Sequence, residues 1–449
     1  MHVESPTIPV GAIWYPQDHE DPNRLKRAHL YGINSVPNET VLVQQAKSRF
    51  TLHKPARTYH LSLEGKGPTV WTDTDKKAVA MQVELAQEAE LDFFLINVYV
   101  WSEDGGIKTE LDAPLDVIVR QLREKHIKFA LNFCFHKPRS VIPVPLGFKE
   151  ERRHISATKE TFEAIVDFLV PFLELPNYLT LGSWGHPFVS FYGLDPRTLD
   201  RDERNPFRWI TEKMERTINK RPGLLCYAVA KTPLDALRFQ ELGFFGTMTY
   251  SDLPSFTGEI YHDILGLEDL QEYKPQPAFL QSYLRQLYRQ TQTWWNIAQI
   301  QTHSNKKTNH IPTSVIGWDA SYRAHELAGM REATEALSNG ASFEDLYPLF
   351  PIVVEANPMN FLKMLDAIFL YLQEFIRWEY QFVLINAWNE IAEGSSMIPY
   401  YSRTYSRRGE RFKDSHNLVT DYLYAVRDFK RSLPERIRDS WKDVVQFSE

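Results

Sequence analysis

A chain of 449 residues is long enough for one large domain or two medium ones, and a core of that size needs no disulfide staples. The formal net charge of −7 argues against a nucleic-acid surface. The two cysteines, Cys134 and Cys226, allow neither a disulfide framework nor a zinc spacing; each lies in an apolar, strand-like run and reads as a buried thiol. No apolar run approaches the ~18 residues needed to span a bilayer. Met1 to Val10 has no basic region followed by an apolar stretch, so the chain as given reads as cytoplasmic, although a secreted protein with its leader removed would read the same.

Eight β-rich apolar runs follow one another along the chain: 8–14, 93–99, 127–134, 187–192, 224–230, 245–250, 311–318 and 382–388. Near-continuous apolar runs of this kind suit strands buried on both faces. Helical patterns separate most of them, at 76–89, 113–125, 158–173, 206–219, 233–242, 276–300 and 358–378, and a last one at 418–432 follows the eighth run. Strict alternation implies a parallel sheet, and eight strands with eight helices predict a single (β/α)₈ TIM barrel. A doubly wound open sheet is the main rival; it would want a glycine-rich turn after an early strand, and none follows Trp14. Three connections are long, near 17–72, 251–273 and 319–356, and each follows a strand end, where a barrel builds its mouth. The segment 402–416 holds four arginines and reads as a solvated loop or a polar flap.

In a TIM barrel, residues at the strand C-termini face the substrate. Those ends supply Trp14 and Tyr15; Asn97, Tyr99 and Trp101; Asn132 and His136; Tyr192; Tyr250; Trp318 and Asp319; and Asn386, Trp388, Asn389, Glu390 and Glu393. Flat aromatics stack on the C–H faces of sugars, while amides and carboxylates hold hydroxyl pairs, so the set predicts an oligo- or polysaccharide ligand. An aromatic share of 13% adds weak support, because a large core uses aromatics too. Arg323 pairs with Asp319 or clamps an anionic group. The sharpest segment is Trp388-Asn389-Glu390-Ile391-Ala392-Glu393-Gly394, an apolar strand running straight into two carboxylates three residues apart. Glycosidic cleavage typically uses two carboxyl groups, one protonating the leaving oxygen and one assisting on the opposite side. Like charges close together drive their pKa values apart into an acid and a base, and Gly394 permits the required turn. Phosphate-binding glycine loops, a Gly-x-Ser-x-Gly elbow and paired metal histidines are missing. A glycosyltransferase of surface-polysaccharide assembly and a non-catalytic glycan-binding barrel remain the competing readings.

Several segments together resemble the glycoside hydrolase family 99-like group, which includes the WbsX-type proteins of polysaccharide biosynthesis. They are Gly11 to Pro16, Gln82 to Tyr99, Leu111 to Leu115, Pro176 to Tyr178 with Gly185 to Pro187, Gly317 to Asp319 with Arg323, and Asn386 to Gly394. The resemblance implies a (β/α)₈ barrel and, for the hydrolase branch, retaining endo-acting α-mannosidase chemistry without a metal or organic cofactor. It assigns Glu390 as the base acting on the sugar 2-hydroxyl, which attacks the anomeric carbon internally, and Glu393 as the acid/base. Ile391 stands where the family commonly has Trp, Ile398 where it has Glu before the proline, and Phe133 to His136 departs from its Trp-containing form. These departures fall on substrate subsites and leave both glutamates in place.

Overall fold

The computed structural model describes residues 8–29, 56–138, 154–200, 204–218, 223–250, 280–303, 309–318, 339–340, 352–404 and 413–446. Its core is a parallel barrel of β1 (Val10–Trp14), β2 (Phe93–Glu103), β3 (Lys128–Cys134), β4 (His186–Tyr192), β5 (Leu225–Val229), β6 (Gly246–Met248), a two-part β7 (His310–Ile311 and Thr313–Val315) and β8 (Val383–Asn386). The ladder runs from the first part of β7 through β6, β5, β4, β3, β2, β1 and β8 to the second part of β7. The two ends of that path are consecutive in the chain, so eight strands close the barrel as the alternating pattern predicts. Eight helices follow the strands in turn: α1 (Lys76–Glu88), α2 (Leu115–Glu124), α3 (Lys159–Leu173), α4 (Pro206–Ile218), α5 (Pro233–Glu241), α6 (Tyr283–His303), α7 (Pro358–Phe375) and α8 (Asp421–Gln446). Local signals set their starts: Thr232 and Asp235 form a reciprocal capping box on α5, and Asn357 caps α7 ahead of Pro358. Asp75 caps α1, its side chain accepting from the Lys77 N–H.

Alternation along the strands decides what lies inside. At the N-terminal end, Phe93, Phe188, Tyr227 and Phe382 close the barrel, with ring centroids 5.0–6.0 Å apart. Gly11 makes room for this plug, since a Cβ there would sit 2.5 Å from the Phe93 ring. Nearer the C-terminal end the inward positions turn polar, with Asn97, Asn132 and Ser190 fully buried. The opposite parity faces the helices. Trp14 packs edge-on against Phe94, centroids 4.8 Å apart, and Trp388 packs on both Phe94 and Trp14. Both thiols are buried, and burial pushes Cys226 up to about 12.

Several connections hold more structure than the sequence reading expected. β2 runs on past Tyr99 and pairs with Gly106–Glu110 in an antiparallel hairpin. The stretch after β1 contains a helix, Pro22–His29, and a strand, Ala56–Tyr59, which joins Tyr400–Thr404 and Lys413–Val419 in a three-stranded antiparallel sheet. The described ends of 402–416 are therefore strand. Leu280–Ser282, expected as helix, pairs with Ile352–Val354, and α6 starts at Tyr283. The long connection 251–273 and most of 319–356 lie outside the described residues. Among the described residues no helix is long and apolar enough to cross a membrane.

Pro312 interrupts β7 because it has no N–H for the ladder. Thr249 bridges the break: its N–H donates to the Ile311 carbonyl at 3.2 Å, its hydroxyl oxygen accepts from the Thr313 N–H at 2.8 Å, and its carbonyl accepts from the Thr313 hydroxyl. Thr249→Val keeps the shape and strands a buried N–H, which costs about 1–3 kcal/mol. Urea denaturation of the variant is expected to lose that much stability at an unchanged m-value; equal stability would show that the bridge does not matter to closure.

Candidate active site

The C-terminal end of the barrel is floored by a directional chain of hydrogen bonds. The Ser190 hydroxyl donates to Asn132 Oδ1 at 2.7 Å, Asn132 Nδ2 donates to Asn97 Oδ1 at 2.7 Å, and Asn97 Nδ2 donates to Tyr250 Oη at 3.1 Å. Three strands thus hold one tyrosine oxygen from below. Asn386 Nδ2 donates to the Tyr250 carbonyl at 2.6 Å, fixing the backbone of the same residue from β8. Asn97 and Asn132 are supports here: both amides are buried and engaged.

Above this floor the aromatic strand-end residues form a connected rim. Tyr250 stacks on Tyr192, with centroids 4.1 Å apart at 22°, and meets Tyr15 edge-on at 6.2 Å. His136 lies 5.5 Å from both Tyr192 and Tyr99. Tyr192, Tyr250 and His136 are half-buried, and Tyr15 and Tyr99 more so. Trp101 lies on the hairpin extension of β2, with Lys137 Nζ 4.8 Å from its ring centroid and Glu103 paired to that lysine at 3.4 Å. Trp318 continues β7, and its carbonyl accepts from the Val353 N–H at 2.9 Å.

The two glutamates sit on a tight hairpin at the end of β8. Asn389–Glu390 pairs antiparallel with Ser395–Ser396, and a 3₁₀ turn, Ile391–Glu393, connects them. Gly394 closes the turn at φ 63°, a left-handed backbone that glycine adopts without penalty. Glu390 is buried and Glu393 half-buried. The Asn386–Ala387 peptide preceding the hairpin is cis.

Four sets of contacts immobilise this hairpin. Asn389 Oδ1 accepts from the Tyr15 N–H at 2.8 Å while its Nδ2 donates to the Tyr15 carbonyl at 2.7 Å. The Ser395 hydroxyl donates to the Asn386 carbonyl at 2.8 Å and the Ser396 hydroxyl to the Trp388 carbonyl at 2.9 Å. The Trp388 N–H donates to the Ile13 carbonyl at 2.8 Å. On the helix side, Trp388 Nε1 donates to Gln82 Oε1 at 3.0 Å, and Gln82 Nε2 donates to Asp73 Oδ1 at 2.9 Å.

The rim and the hairpin bring Tyr15, Tyr99, His136, Tyr192 and Tyr250 together in one connected set and carry Glu390 and Glu393 on the end of the neighbouring strand. Trp14, Trp388 and Asn389, expected to face a ligand, do not. Trp14 and Trp388 have the parity that points at the helix layer, and the Asn389 amide is fully used on the Tyr15 backbone; all three are 0% exposed. Asp319 and Arg323 lie outside the described residues. Sequence reasoning missed Gln82, Asp73, Ser395 and Ser396. The serines directly behind the Glu-x-x-Glu segment could have signalled it, whereas Gln82 and Asp73 carry no local mark of a partner some three hundred residues away. Among the described residues no cluster of three or more His, Cys, Asp or Glu could hold a metal.

Burial raises the Asp73 carboxyl from 3.8 to about 6, against the opposing pull of its bonds from Gln82 and the Asp18 N–H. The folded chain therefore holds this proton more tightly than the unfolded chain. The resulting stabilisation is complete below about pH 4, the ordinary carboxylate range, and is lost as pH rises through the raised folded-state value. Urea titrations of the wild type and Asp73→Asn between pH 4 and pH 7 are expected to move in the variant's favour across that window. A constant difference would refute the buried-carboxyl assignment.

No family model matches the chain, and no curated protein matches it. Among solved structures it is similar to the glycoside hydrolase family 99 endo-α-mannosidase from Bacteroides thetaiotaomicron, in complex with bis-tris propane, at TM-score 0.51 and 11% identity, covering 96% of this chain and 98% of that one. A second structure of the same enzyme gives TM-score 0.50 at 11% identity, with the same coverage. At this identity the likeness is one of fold: the chain has the (β/α)₈ architecture of those hydrolases along nearly its whole length.

Proposed function

We propose that the chain is a glycoside hydrolase of the family 99-like kind, cleaving glycosidic bonds of an oligo- or polysaccharide, with endo-action on α-mannosides the favoured specificity. The observation that carries this reading is the rigid 3₁₀ hairpin at the end of β8, which sets Glu390 and Glu393 three residues apart beside a rim of tyrosines and a histidine. Hairpin and rim are tied together through Tyr15, whose backbone holds Asn389 and whose ring meets Tyr250. Their aromatic faces suit sugar C–H surfaces, and carboxylates and imidazole suit hydroxyls.

In the proposed reaction Glu390, as carboxylate, accepts the proton of the 2-hydroxyl of the sugar on the non-reducing side of the scissile bond. That oxygen attacks the anomeric carbon as the bond to the leaving oxygen breaks, and Glu393 delivers a proton to the leaving oxygen. In the second half, Glu393 takes a proton from water, the water oxygen bonds to the anomeric carbon as the bond from that carbon to the 2-oxygen breaks, and Glu390 returns its proton to the 2-oxygen. Two inversions at the anomeric carbon give net retention. The depth of Glu390 and the greater exposure of Glu393 suit these roles: the base works in a site screened from solvent, and the acid/base must meet both leaving group and water. Tyr15, Tyr99, Trp101, His136, Tyr192, Tyr250 and Trp318, with Asp319 and Arg323, are the proposed substrate contacts.

Glu393→Gln is expected to slow hydrolysis of an unactivated glycan by about 10²–10⁴-fold, the range for general acid catalysis. It is expected to slow release of a good aryl leaving group far less in the bond-breaking half, because such a group departs without a proton. Glu390→Gln is expected to fail on both substrates. Reducing-end and chromogenic assays on folded variants decide the matter. Wild-type rates in either variant would end the assignment, and micromolar nucleotide-sugar binding by calorimetry without hydrolysis would move it to glycosyl transfer.

A further inference from the structure

The outward face of α6, away from the barrel mouth, carries groups that the proposed reaction does not use. Its inward positions, including Tyr283, Gln286, Trp294, Ile297 and Ala298, are buried, as amphipathic spacing requires. Its outward stripe instead presents Tyr288, 65% exposed, and Trp295, 41% exposed. An open hollow of about 400 Å³ lies on this stripe, and the described residues lining it are Thr291, Gln292, Trp295 and Asn296.

The side chains are held ready. Phe375 of α7 meets Trp295 edge-on, centroids 4.7 Å apart at 89°, and so fixes the tilt of the indole. Gln292 Nε2 donates to Tyr288 Oη at 2.9 Å, which orients the amide of this exposed residue. The Thr291 hydroxyl donates to the Tyr288 carbonyl at 2.7 Å, so its lone pairs remain for an incoming donor.

We propose that this face of α6 is a second, non-catalytic glycan-binding site that takes one or two rings of a neutral polysaccharide chain. Three features select that occupant. The described lining holds no ionised side chain, so it offers nothing to an anion or a cation. It pairs one flat ring with two primary amides and a hydroxyl, the mixture of apolar face and paired donors and acceptors that a pyranose presents in return. A stable protein partner would need roughly 800 Å² from each side, far more than four adjacent helix residues provide. The proposal shares with the functional reading a carbohydrate ligand but not the catalytic hairpin, and binding here would hold a polymer against the enzyme while the mouth acts on it.

The test is affinity electrophoresis of the full chain in native gels containing yeast mannan, glycogen, galactomannan or xylan, with turnover of a small aryl glycoside measured in parallel. Trp295→Ala and Gln292→Ala, both at exposed positions, are expected to weaken retention by at least one of these polymers about tenfold while leaving aryl-glycoside turnover unchanged. Retention that is equal in the wild type and both variants, or absent with every polymer, overturns the proposal. So does a wild-type dimer that Trp295→Ala converts to a monomer without glycan, which would make the face a self-association surface. Polymer retention that depends on Trp295 in a chain without hydrolytic activity would uphold the site and reject the hydrolase reading, so the two fail separately.

Discussion

The site depends on the pair of hydrogen bonds between the Asn389 side chain and the backbone of Tyr15. Residues 374 positions apart are joined there as if they belonged to one ladder, although regular pairing of β1 with β8 stops at Ala12 and Ile385. Beyond those positions one more backbone bond, from the Trp388 N–H to the Ile13 carbonyl, continues the contact, and the Asn389 amide then offers Tyr15 both a donor and an acceptor. Because it sits immediately before Glu390, the geometry of the carboxylate hairpin is inherited from the barrel closure itself. The two serine hydroxyls behind Glu393 add a second bond to the Asn386 and Trp388 carbonyls, which also accept from the Ile316 and Met397 N–H groups.

The same logic extends outward through Trp388. Its indole is fixed between Phe94 and Trp14, and its N–H reaches Gln82 on α1, which in turn holds Asp73. A buried carboxylate close to neutrality at mildly acidic pH thus sits two side chains from the candidate catalytic segment. On the inner side, the Ser190, Asn132 and Asn97 chain supports Tyr250 in the same way. Each functional element rests on a polar network rather than on apolar packing alone. Such networks specify orientation, because every buried donor must find its acceptor.

Strand and helix identities were legible in the sequence because alternating apolar runs and capped helical patterns are local signals, as Thr232 with Asp235 and Asn357 with Pro358 illustrate. The Glu-x-x-Glu segment was legible for a similar reason: it directly follows an apolar run and precedes a glycine. Side-chain parity at the strand ends was not. Trp14 and Tyr15 are neighbours, yet one belongs to the helix layer and the other to the rim. The two-residue step separates inside from outside, and barrel closure decides which of the two parities faces in.

The sequence by itself determined the barrel, the order of its elements and the place of the two glutamates behind the last strand, since each follows from periodicity and punctuation within a few residues. Only the tertiary structure decided which aromatic residues share the rim, that Asn389 and Trp388 are supports, and that Gln82 and Asp73 reach the site from α1 and the loop before it. Those roles are contacts between residues far apart in the chain, and closure of the barrel alone brings them together.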